Sequence, residues 1–222
     1  MTVILVLATF LAFIVLDYVL SRRKEVQPVA VEAVRPATAR RRATYVEGFL
    51  VPEELQYHPG HSWLSRERSH LVRVGADEFA ALLAGPVERI ELPKPGHWVR
   101  QGQRAWTLYR NGEKTEMVSP IEGEVVEVNP EVQKDPSLLR SDPYGRGWLM
   151  TVYVPDEEST GRNLIPKSLV GSWMRSVVEQ LYARQPQLAG AVAADGGRPA
   201  DDLFAAVPGA SWKALTRDFF LT

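Results

Sequence analysis

The sequence predicts a mainly β sandwich with flanking helices, carried behind an N-terminal transmembrane helix. Three features support that expectation. From residue 57 to residue 154 the chain breaks into short β-prone runs punctuated by glycine and proline. Among them stands Asn111-Gly112, the strongest two-residue hairpin signal, whose type I′ turn needs positive φ at both positions. Residues 2–20 form an apolar run long enough, at about 1.5 Å per helical residue, to cross a hydrocarbon core of about 30 Å. A length of 222 residues, 45% of them apolar, leaves room for one globular core plus appendages.

Within residues 2–20 the one charge is Asp17, near the end. A secretory signal peptide would show a basic start, a shorter apolar stretch and a small-residue cleavage site; this run shows none of them and reads as an uncleaved anchor. Arg22, Arg23 and Lys24 follow it and nothing basic precedes it, so the positive-inside rule places the C-terminal body in the cytoplasm. Residues 21–52 read as a basic, extended linker. Arg22, Arg23, Lys24, Arg35, Arg40, Arg41 and Arg42 stand against Glu25 and Glu32, a net of +5 that leaves residues 43–222 at −5. Anionic lipid along residues 22–42 is therefore the expected membrane partner, beside the plainer reading of a solvated linker. The Arg40 to Arg42 cluster has a single aromatic neighbour, Tyr45, and no larger basic patch follows, which argues against nucleic acid.

Residues 53–155 hold the β domain. Residues 71–74 read as a strand, and 76–83 as a short helix with Asp77 and Glu78 in its first turn and Gly85-Pro86 at its end. Residues 87–92 alternate strictly, 93–96 make a turn, and 105–109 form another strand. The two-residue loop then pairs Arg110 with Glu113, Tyr109 with Lys114 and Trp106 with Met117. Residues 123–128 alternate again and 148–154 close the set. Gly85, Val87 and Ile90 echo Gly123, Val125 and Val128 on the two sides of the hairpin, which suggests two similar halves of a pseudo-symmetric sandwich.

Residues 156–189 contain an amphipathic helix, with Leu169, Val170, Trp173, Met174, Val177, Val178, Leu181 and Tyr182 on one stripe. Residues 190–222 are a small-residue linker and an aromatic-rich tail with Phe204, Trp212, Phe219 and Phe220. The stripe packs either on its own domain or in a partner's groove, and residues 168–222 are the expected protein-partner surface. His58, His61, His70 and His97 lack neighbouring thiolates or strong carboxylate partners in sequence and read as turn and edge histidines, with no metal. The chain has no cysteine, no serine, histidine and acid set and no glycine-rich phosphate loop, so it is not expected to be an enzyme by itself.

Several motifs follow one another in order. They are Tyr57-His58-Pro59-Gly60-His61-Ser62-Trp63; Gly75-Ala76-Asp77 entering the first helix; Glu91-Leu92-Pro93 with Gly96, Val99 and Gly102; Ser119-Pro120; Gly123-Glu124-Val125-Val126-Glu127-Val128-Asn129; and Asp142-Pro143-Tyr144-Gly145-Arg146-Gly147-Trp148-Leu149. In this order and spacing the segment resembles the H protein of the glycine cleavage system. The resemblance implies a flattened β-barrel sandwich, the barrel-sandwich hybrid of lipoyl and biotinyl domains, with a lysine on a hairpin tip. It implies a carrier whose lipoate, not the protein, performs the chemistry.

At that tip the sequence departs from the pattern. An ungapped count from Gly102 to Ser119-Pro120 puts the family's Glu-Ser-x-Lys-Ala segment on Tyr109, Arg110, Asn111, Gly112 and Glu113, so the attachment position falls on Gly112. The nearest amine, Lys114, lies two residues on, roughly 7 Å further down the strand. The expectation is a membrane-tethered, non-lipoylated module that binds or scaffolds, with Tyr109, Arg110, Asn111, Gly112 and Glu113 as its hairpin-tip surface and no cofactor. The alternative is a lipoyl carrier related to the glycine cleavage system, with lipoate on Lys114.

Overall fold

Strand alternation and tight turns build three antiparallel sheets among the described residues, which are 43–186, 199–205, 209 and 211–222 of this computed structural model. Strands β1 (Ala43–Val46) and β2 (Phe49–Pro52) form a hairpin. A six-stranded sheet runs in the order β3 (Gln56–His58), β4 (Ser62–Arg68), β5 (Leu71–Ala76), β11 (Met150–Tyr153), β10 (Gly123–Val128), β7 (Trp98–Val99). A three-stranded sheet runs β6 (Arg89–Glu91), β8 (Arg104–Arg110), β9 (Glu113–Val118). The helices are α1 (Glu78–Ala84), α2 (Pro130–Lys134), α3 (Leu138–Ser141), α4 (Glu157–Gly161), α5 (Val170–Arg184) and α6 (Trp212–Phe220). Trp106, Leu108 and Met117 of the smaller sheet share one core with Val74, Val125, Met150 and Val152 of the larger. The fold is thus a mainly β sandwich with helices. Among the described residues no sheet closes on itself, so the barrel that the resemblance implied is an open pair of sheets instead.

The scattered motifs meet in that core. Trp63 on β4 lies opposite Gly75 on β5, and a Cβ at Gly75 would sit 2.5 Å from the indole, so the ring requires the glycine. Trp63 Nε1 donates to the carbonyl of Pro143 at 3.1 Å, and its ring lies 6.2 Å from that of Tyr144. Tyr144 in turn donates to the carbonyl of Leu50 and accepts from the backbone N–H of Glu78. Its burial, with Tyr57 and Asp77 nearby, raises its pKa well above the ordinary tyrosine value and keeps it neutral.

One boundary is corrected. Residues 43–52 do not continue the extended linker but form β1 and β2, with Phe49 and Val51 in the core. The turn between them, Glu47-Gly48, has φ of 49° and 83°, the same two-residue signature as Asn111-Gly112, and Leu50 N donates to the buried Glu78 carboxylate. Beyond residue 155, the described residues belong to the same compact unit as the β domain. The helical stripe packs on its own body, with Val170, Met174, Val177, Val178 and Leu181 buried. The tail buries its aromatics: Trp212, Phe219 and Phe220 are at most 5% exposed. The apolar run at residues 2–20 lies outside the described residues, among which no helix is long and apolar enough to cross a membrane.

Candidate functional site

Strands β8 and β9 form the hairpin in the register the loop dictates, pairing Arg110 with Glu113, Tyr109 with Lys114 and Trp106 with Met117. Asn111 and Gly112 have φ of 50° and 77°, as a type I′ turn needs, and the Asn111 N–H donates to Glu88 at 3.2 Å. Residues 111–114 are all exposed. A Cβ built on Gly112 meets no heavy atom within 4 Å, so the tip is open to solvent.

The two faces of the hairpin differ. On the outer face, Tyr109 lies beside Lys114, stacks under the Arg89 guanidinium at 3.6 Å and donates to Glu91 at 2.5 Å. Further along this face Arg104 pairs with Glu116 at 2.9 Å. On the inner face Arg110, Thr115 and Met117 are buried. Arg110 therefore leaves the expected tip surface, a correction with a clear cause. Its guanidinium donates to the Ala84 carbonyl at 2.9 Å and to both oxygens of Asp202, at 3.0 and 2.6 Å, with the Phe204 ring 5.1 Å away.

The end of α1 makes room for that pair. Gly85 caps the helix at φ 67° and ψ −150°, a conformation that glycine alone adopts readily. A Cβ there would come within 2.2 Å of Arg110 Nη1 and 2.6 Å of Asp202 Oδ1. The Ala84 carbonyl also accepts from Trp212 Nε1 at 3.1 Å, and Thr216 Oγ1 sits 2.8 Å from Thr115 Oγ1. Asp202, Trp212 and Thr216 come from a segment about a hundred residues away along the chain, and no local pattern marks them as neighbours of the hairpin.

Two of the four histidines are core residues rather than edge residues. His61 is held at φ 60°, hydrogen-bonded through Nδ1 to Asp77 at 2.8 Å, with Phe79 and Trp173 rings at 4.4 and 5.0 Å. Asp77 also caps α1 by accepting from Ala80 N at 2.8 Å. His58 is 6% exposed, and burial, then the nearby His61, lowers its pKa to about 4. Among the described residues no group of three or more His, Cys, Asp or Glu is placed to hold a metal. Clefts of about 410 and 460 Å³ both border Lys167, and neither is lined by a residue of the β8–β9 hairpin. For a covalent cofactor, the one amine on the hairpin is Lys114, on the outer face.

The model of the glycine cleavage H-protein family matches residues 55–172. The glycine cleavage system H protein of Mycobacterium leprae is 35% identical over 106 residues, 48% of this chain and 80% of that protein. The namesake protein of Streptomyces coelicolor is 38% identical over 106 residues, 48% of this chain and 85% of that protein. The crystal structure of a glycine cleavage system H protein from Mycobacterium marinum is 28% identical, with a TM-score of 0.45, covering 47% of this chain and 87% of that one. With the motifs gathered in one core, and more than half of its length matched, the chain belongs to the glycine cleavage H-protein family.

Proposed function

We propose that this chain is a membrane-tethered, non-lipoylated member of its family that serves as a binding or scaffold module and is not an enzyme by itself. The observation that carries this reading is the tip: an exposed Asn111-Gly112 turn, well formed with no amine, at the position the ungapped count assigns to the attachment lysine. An arm that must swing freely is best placed on the turn itself, whereas Lys114 lies in a paired strand beside Tyr109. The outer face of Arg89, Glu91, Tyr109 and Lys114 is the contact surface in this reading. The apolar run at residues 2–20 and the basic residues at 22–42 support a tether with the body in the cytoplasm, the basic stretch meeting anionic lipid.

Intact mass of the chain made in lipoate-replete cells with a lipoate ligase tests it, alongside Lys114→Ala. An unmodified mass is expected. A lipoyl increment that vanishes in the variant would sink the scaffold reading and establish a carrier with lipoate on Lys114. That second reading draws on the exposure of Lys114 and on family membership. For topology, a reporter fused after Thr222 should be active in the cytoplasm, and activity only on the other side would reverse the orientation.

A further inference from the structure

The C-terminal segment lies beyond residue 172, where the family match ends, yet it packs on the hairpin that carries the family's chemistry. Three contacts hold it there. Asp202 takes the Arg110 guanidinium in a two-pronged pair, Trp212 shares the Ala84 carbonyl with Arg110, and Thr216 closes over the buried Thr115. Leu215, Phe219 and Phe220 of the same helix are buried, Phe219 against the Phe79 ring. Arg110 is itself one of the five residues aligned with the family's attachment segment. One side chain of the tip region has thus become a tie to the tail.

A protein that modifies or reads a hairpin tip has to admit the hairpin into a cleft, and so needs both faces of the strands near the turn. Beside the turn the β6–β8–β9 sheet is one layer thick; a helix laid on its inner side adds roughly 10 Å. With α6 against β9, a cleft shaped for that single layer is blocked on the inner side.

We infer that residues 199–222 act as an autoinhibitory cap that closes the inner face of the hairpin beside its turn, at Arg110 and Thr115, to any enzyme acting at its tip, with Arg110 and Asp202 as the latch. The inference rests on reading residues 109–113 as the equivalent of the family's attachment segment. It deepens the proposed function, because the tip is then silenced twice, by the missing amine and by the covered face.

The test restores the amine. The full-length chain carrying Gly112→Lys and Lys114→Ala, purified in detergent, is incubated with lipoate, ATP and a lipoate ligase, and its modification is followed by intact mass. The same chain is made with Asp202→Ala added, and with residues 199–222 deleted. Opening the latch or removing the tail is expected to raise the initial rate about tenfold, within the ordinary range for coupling between two sites. Equal rates in the three chains, or no modification in any of them, overturn the cap. Circular dichroism melts select the variants folded at the assay temperature; the Asp202→Ala chain keeps α6 and decides alone if the deletion does not fold. Lys114 is absent from every test chain, so lipoylation of the unsubstituted protein, which would sink the proposed function, is a separate outcome.

Discussion

Arg110 shows what a single residue can conceal. In sequence it flanks an exposed turn, and alternation alone assigns it a face without saying what covers that face. In the structure it is buried in a charge pair with Asp202. Breaking such a pair leaves the partner group uncompensated, so Arg110→Ala and Asp202→Ala are each expected to lower stability by roughly 2–3 kcal/mol. In urea unfolding the double variant should lose less than the sum of the two, and simple additivity would show that the pair is not coupled. His58 gives a pH prediction. Its folded pKa of about 4 lies below the ordinary 6.5, so between those values the unfolded chain binds the proton more readily than the folded one. The stability is fully present above pH 6.5 and falls as the pH drops toward 4, by on the order of 2–3 kcal/mol. His58→Asn, which keeps an acceptor for the Gly60 N–H, should flatten that slope, and an unchanged slope would assign it to other groups.

At the scale of elements, the hairpin and α1 were legible because their signals are local. A two-residue Asn-Gly turn fixes its own register, and acids at a helix start with a glycine stop bracket a helix whatever surrounds it. The β1–β2 hairpin was missed although Glu47-Gly48 carries a weaker form of the same turn, since the basic run before it masks a segment only four residues long on each side. The stripe on α5 was legible as a stripe, but periodicity cannot name the surface it meets. For α6 the burial predicts a split response. Phe219→Ala or Phe220→Ala should cost about 3–5 kcal/mol, whereas the exposed Lys213→Ala should stay within about 0.5 kcal/mol. Thermal denaturation of the three variants checks this, and comparable small effects would mean that α6 is not part of the cooperative unit.

For the whole molecule, the C-terminal segment belongs to the same compact unit as the sandwich. Deleting residues 199–222 should expose the α1 and β9 surface, increase binding of a hydrophobic dye and lower the urea m-value, because less area remains to be exposed on unfolding. An unchanged m-value would place the tail outside the core. The sequence by itself determined the family, the register of the β8–β9 hairpin and the amine-free turn, because these rest on motifs and pairings between near neighbours. Only the tertiary structure decided that the two C-terminal helices pack on their own body and that the hairpin has one open face. Those outcomes depend on contacts across about a hundred residues, such as Thr115 with Thr216, where the chain's path through the core brings together groups that no spacing in the sequence relates.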